Sequence, residues 1–211
     1  MSCAFDLDHY RQLLDAIRAG GYRFASFDEE PRSGDLFLRH DVDLDLEAAL
    51  TMSAVERDAG ARATYFLMKT SVFYNLDSAE GARALEQLRA DGHAVGLHPI
   101  WPSTETDDRF DRLLAWHNPD PAYMREPVDG LVNVMAEPYG ANYRSDSNQG
   151  WREGCPHEEL AAGDFDWLQL LIHPEIWVYP GGTMRETMEA MLDRERARRL
   201  EQLELDRIDL S

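Results

Sequence analysis

The sequence predicts an α/β fold built on a parallel sheet, and three observations carry that prediction. Short apolar runs of strand character alternate with helix-period segments through the first half of the chain, the pattern of helical crossovers between parallel strands. Five predicted strands end in a group able to bind metal or move protons: Asp41 with Asp43, His98, His117, Asp146 and His173. Parallel sheets carry their sites at these carboxyl ends. Finally, 211 residues of 44% apolar composition suffice for one buried core and are short for two. With no internal repeat and no linker, a single domain over 1–211 is expected.

The elements follow in order. Tyr10, Leu13, Leu14 and Ile17 recur at helical spacing until Gly20-Gly21 stops the helix. A short strand is predicted near Arg23–Phe27 and a longer one over Leu36–Asp43. A helix over about Leu46–Ala59 follows, with Asp45 as N-cap and Gly60 as its stop. Ala61–Met68 reads as a strand, Ser78–Ala90 as a helix and His93–His98 as a strand. A short helix near Asp107–Leu114 is expected to lead into a strand ending at Trp116-His117. The Pro-rich segment Asn118–Tyr139 is too long for an ordinary connection and reads as functional or as a packed cover. Ala141–Ser145 and Trp167–Ile172 are further strands. A charged helix runs from Thr183 to about Ile208, its stripe of Met184, Met188, Met191 and Leu192 expected to pack on the core.

Composition narrows the partners. With 21 basic against 40 acidic residues the net charge is −19, a field that repels nucleic acid and anionic membranes. No apolar run is long enough to span a bilayer, and the N-terminus has neither a basic nor an apolar signal region. A soluble, cytoplasmic protein without membrane insertion is expected. Oligomeric state has no signature. Cys3 and Cys155 lack CxxC spacing and are read as neither ligand nor nucleophile. His9, His93 and His157 read as structural or solvated, and His40 as facing the strand–helix layer.

Leu38-Arg39-His40-Asp41-Val42-Asp43 is the most informative stretch. Alternation puts Asp41 and Asp43 on one face of a strand end. Two carboxylates are costly to bury unpaired, and a metal, or a division between ligand and base, would offset that cost.

This stretch, with Ala63-Thr64-Tyr65-Phe66-Leu67 after the next helix, resembles the polysaccharide deacetylases with the NodB homology domain (carbohydrate esterase family 4). Further short motifs between about Leu36 and Trp177 carry the likeness: Gly96 to Pro102, Trp116 to Pro119, Tyr143 to Gly154 and Leu170 to Pro174. As a set they look like a divergent branch linked to surface-polysaccharide and O-antigen synthesis. The resemblance implies a distorted or incomplete (β/α) barrel of the polysaccharide deacetylase type. It also implies metal-dependent removal of an N- or O-acetyl group from a carbohydrate, with Asp41 as base, His173 as acid, and Asp43 and His98 as ligands. Asp146 would orient the site, with Trp151 as an apolar wall and Trp101 against a sugar face.

The chain departs from that family in three places. Val42 separates the two aspartates, which are usually adjacent, so their roles could be exchanged. Pro102 stands where a second ligand histidine belongs, and His117 stands in place of an arginine that orients the base. His117 could complete the metal site or orient Asp41, and the ligand role is favoured. The ion expected is zinc, with cobalt, nickel or manganese as alternatives. A different class of function stays open: a non-catalytic carbohydrate-binding or partner module on a decayed deacetylase scaffold. So does a hydrolase acting on a non-acetyl amide.

Overall fold

The computed structural model describes residues 3–209 apart from 70 and 105. Eight strands form one sheet: β1 (Arg23–Phe24), β2 (Asp35–Val42), β3 (Thr64–Leu67), β4 (Ala94–Leu97), β5 (Leu113–Leu114), β6 (Val132–Asn133), β7 (Tyr143–Ser145) and β8 (Trp167–Ile172). Every pairing between them is parallel. Neighbours run β6-β5-β4-β3-β2-β8-β7, with β1 beside the start of β2. The last strand thus returns to pair with β2, as in a (β/α) barrel. Among the described residues only the β6–β7 join lacks backbone pairing, so the sheet curls into a partial barrel of seven strands. Helices α1 (Leu7–Ala19), α2 (Leu46–Asp58), α3 (Ala79–Ala90), α4 (His157–Ala162), α5 (Pro174–Val178) and α6 (Met184–Leu205) flank it. No helix among the described residues is long and apolar enough to cross a membrane.

Strand alternation separates two cores. Leu36, Leu38 and Val42 of β2 join Tyr65, Leu67 and Leu170 in a cluster with the apolar faces of α1, α2 and α3. Phe37 points the other way and meets Phe27, Phe66, Val134 and Tyr139 inside the curled sheet. Gly96 makes room for this packing, since a Cβ there would lie 2.5 Å from the Phe66 ring. The interior below the strand ends is therefore filled, and the site sits on an aromatic floor.

His40 faces the helix layer, as alternation requires. Its Nε2 lies 2.6 Å from Glu56 on α2, which also accepts hydrogen bonds from the Tyr10 and Tyr65 hydroxyls. Four N-caps hold helices in place: Asp6 accepts from the His9 amide, Asp45 from the amides of Glu47 and Ala48, Ser78 from Gly81 and Thr183 from Glu186.

Several expected elements differ. The helix expected near Asp107–Leu114 is instead a turn followed by β5. Asp107 accepts from the Arg109 amide and Asp111 from the Val95 amide at 2.8 Å, and such side-chain bonds compete with helix. The strand near Arg23–Phe27 shortens to two residues. The Pro-rich segment holds β6, hidden because Asn133 is polar; it is buried and donates to the Met124 and Glu126 carbonyls. Helices α4 and α5, of six and five residues, are too short for periodicity to reveal. The α6 stripe covers less core than expected, because Met191 is buried while Leu192 is 52% exposed.

Candidate functional site

Strand β2 puts Arg39, Asp41 and, just beyond its end, Asp43 on the inner face. Arg39 is 1% exposed and grips Asp41 with both ends of its guanidinium: Nε to Oδ1 at 2.7 Å and Nη2 to Oδ2 at 2.6 Å. Its third nitrogen, Nη1, donates to Gln169 of β8 at 3.1 Å, and the guanidinium lies over the Phe66 ring. Burial works to raise the Asp41 carboxyl, but the charge and hydrogen bond of Arg39, with the charges of His98 and His173, together hold the group below the usual carboxylate range. Sequence reasoning passed Arg39 over. The signal was present, since a residue two before Asp41 shares its face.

Asp43 takes different partners. His98 follows β4, His117 follows β5, and the backbone bridge between Ile100 and His117 brings the two connections together. Asp43 Oδ1 lies 2.9 Å from His98 Nε2 and 3.0 Å from His117 Nδ1, and the two ring nitrogens are 3.3 Å apart. His98 Nδ1 is 2.7 Å from the Ala115 carbonyl, which can only accept, so Nδ1 carries the hydrogen. In the neutral ring the Nε2 lone pair then faces the Asp43 carboxylate. Two acceptors so close need a proton or a cation between them, and one carboxylate with two imidazoles is a donor set suited to a divalent ion. The three residues therefore fit a metal. Despite burial, hydrogen bonds from His117 and His98 hold the Asp43 carboxyl well below its ordinary range. The hydrogen bond to Asp43 in turn raises His117.

Strands β7 and β8 supply the other half. Asp146 is fully buried and receives three bonds: His173 Nδ1 at 2.6 Å, the His173 amide at 3.0 Å and Trp177 Nε1 at 2.7 Å. Burial alone would favour a neutral His173, but the charge and hydrogen bond of Asp146, with the charges of Asp41 and Glu175, together push the ring up to about 10. The charges of Asp41 and His173 act on each other, and His173 also lowers Asp43, so the two halves share one electrostatic neighbourhood. Beside them Glu175 is 1% exposed, its Oε2 lacks a hydrogen-bond partner, and burial pushes the carboxyl up to about 8.

The structure thus clusters Asp43, His98 and His117, pairs Asp146 with His173, and gives Asp41 a separate partner in Arg39. His117 joins Asp43 and His98, and the arginine on β2 takes Asp41. Trp151 packs on Phe5 and Trp177, which puts it behind Trp177, the indole that touches Asp146. Trp101 stacks on Tyr123 with centroids 5.3 Å apart. The two cysteines, unconnected in the sequence reading, meet beside His9. Comparison with protein-family models, curated proteins and solved structures gives no match.

Proposed function

We propose that the protein is a metal-dependent hydrolase that removes an acetyl group from an N- or O-acetylated carbohydrate, a polysaccharide or O-antigen precursor, in the manner of the polysaccharide deacetylases it resembles. One observation carries the reading: two aspartates at one strand end have opposite company. Asp43 sits against two imidazoles, whereas Asp41 is clamped by a buried arginine. That is the division between ligand and base the chemistry needs.

A divalent ion held by Asp43, His98 and His117, zinc in first place and cobalt, nickel or manganese otherwise, would polarise the acetyl carbonyl and acidify a water. Asp41, held ionised, takes the proton of the attacking water. Arg39 fixes the plane of that carboxylate, and Gln169 fixes Arg39. His173, kept protonated by Asp146, gives its proton to the departing amine or alcohol. Trp101 offers an apolar face for a sugar ring.

The test is acetate release from a panel of N- and O-acetylated saccharides, free and nucleotide- or lipid-linked, with each of the four ions supplied in turn. Asp41→Asn should lower turnover by roughly 10²-fold or more, the usual scale for loss of a general base. It also leaves Arg39 buried without a counter-charge. Breaking such a pair costs about 3–5 kcal/mol, so the assay belongs well below the variant's melting temperature, with its fold checked by circular dichroism. No turnover across the panel, with saccharide binding unaffected by the substitution, would favour a binding module instead.

A further inference from the structure

We infer that Cys3, His9 and Cys155 form a second metal site, rich in sulfur, that takes a soft divalent ion such as zinc and clips the N-terminal segment to the loop before α4. The three residues come from separate stretches: the segment ahead of α1, the first turn of α1 and the approach to α4. One ligand atom from each lies within 4.8 Å of the others, and His9 Nε2 is 3.3 Å from Cys155 Sγ. Around a tetrahedral zinc, sulfur–nitrogen and sulfur–sulfur edges are about 3.5–3.8 Å, so little movement would be needed to seat the ion.

The surroundings offer a donor to sulfur. The Trp151 indole N–H donates to Cys3 Sγ at 3.2 Å, the kind of outer hydrogen bond that supports a thiolate ligand. Both cysteines are free thiols. A disulfide would call for two sulfurs only, and would leave His9 aimed at Cys155 without purpose. His157 lies outside that cluster but stacks on His9 with centroids 5.4 Å apart, and its buried Nδ1 has no hydrogen-bond partner, so a turn of its ring would supply a fourth ligand. A cleft of about 330 Å³ lined by Cys3, His9, Cys155 and His157 opens the cluster to solvent. Sequence spacing gave no hint of this site because Cys3, His9 and Cys155 lie in no metal-motif spacing and meet only in the fold.

The site would also brace the wall behind His173. Trp151 touches both Cys3 and Trp177, and Trp177 donates to Asp146.

Cobalt titration of the reduced, metal-free full chain tests the inference. Thiolate ligation gives a sulfur-to-cobalt charge-transfer band in the near ultraviolet, which the sulfur-free cluster of Asp43, His98 and His117 cannot produce. The band should appear in the wild type, survive in a variant carrying Asp43→Ala and His98→Ala, and weaken sharply in Cys155→Ser, which leaves Cys3 as the site's one sulfur. His9→Gln keeps both sulfurs, so it guards against a folding defect. It should weaken cobalt binding by more than the roughly 10- to 100-fold that loss of an outer-shell partner costs. A wild type without the band, or an undiminished band in Cys155→Ser, would overturn the site. So would a Cys3–Cys155 disulfide in the isolated protein that, once reduced, still takes up no cobalt.

Discussion

Position within a strand decides what each polar residue of β2 does. His40 and Arg39 are neighbours, yet one pairs with Glu56 among the helices and the other with Asp41 inside the barrel. The period of two is readable in the sequence, so the shared face of Asp41 and Asp43 was legible, and so in principle was Arg39. What no sequence pattern supplies is which partner each side chain meets across the sheet. The same holds for Glu175, whose burial follows only from the short helix after His173. Glu175 and His173 also fix how stability responds to pH in the metal-free protein. Both have folded values raised above their ordinary ones, 4.5 to about 8 for Glu175 and 6.5 to about 10 for His173. The folded state therefore holds these protons more tightly than the unfolded chain. Stability from Glu175 is complete below pH 4.5 and fades as pH rises through 8, and that from His173 fades between 6.5 and 10. Denaturant midpoints should fall across this range, and Glu175→Gln should flatten the portion between pH 4.5 and 8. An unchanged profile in that variant would show that Glu175 does not titrate there.

At the scale of elements, legibility followed length and capping. Helix α2 announces itself through Asp45, which does cap it, and Ser78 and Thr183, where α3 and α6 are expected to begin, turn out to cap theirs. β8 runs over the stretch Trp167–Ile172 that its apolar run predicts. The two-residue β6 and the short helices α4 and α5 escaped, because a periodicity needs more than one repeat to be recognised. What locks the elements together is again polar. Glu56 on α2 accepts from Tyr10 of α1 and Tyr65 of β3 and pairs with His40 of β2. Glu56→Ala strips these groups of their common acceptor. At about 1–3 kcal/mol for each buried group left unsatisfied, the loss should reach at least about 3 kcal/mol. Urea denaturation would measure it, and a loss below about 1 kcal/mol would mean that water or a neighbour replaces the carboxylate.

For the whole molecule, the alternation of strand and helix foretold the parallel sheet and the gathering of site residues at its carboxyl ends. It did not foretell where the circle breaks, because that depends on two strands of only two and three residues. The net charge of −19 sets a global response. Self-repulsion among 40 acidic side chains opposes compaction, and salt shortens its reach, to a Debye length of about 8 Å at 0.15 M. The melting temperature should therefore rise on going from about 0.01 M to 0.15 M sodium chloride. A fall would mean that attractive pairs, such as Arg198 with Glu47 and Glu80, outweigh the repulsion.

Where β6 and β7 fail to pair, Gln169 spans the opening: its amide donates to the carbonyls of Val134 and Tyr139 at 2.9 Å, while its oxygen accepts from Arg39. One side chain thus tethers the weakest stretch of the wall to the clamp on Asp41. Breathing of that stretch tugs on the guanidinium, and anything that seats firmly against the clamp quietens the wall in return. Amide hydrogens of β6 and β7 should exchange faster than those of β2 and β8, and Gln169→Leu should quicken them further while lowering turnover. Were the variant to speed exchange and leave turnover untouched, the tether would be a matter of architecture alone.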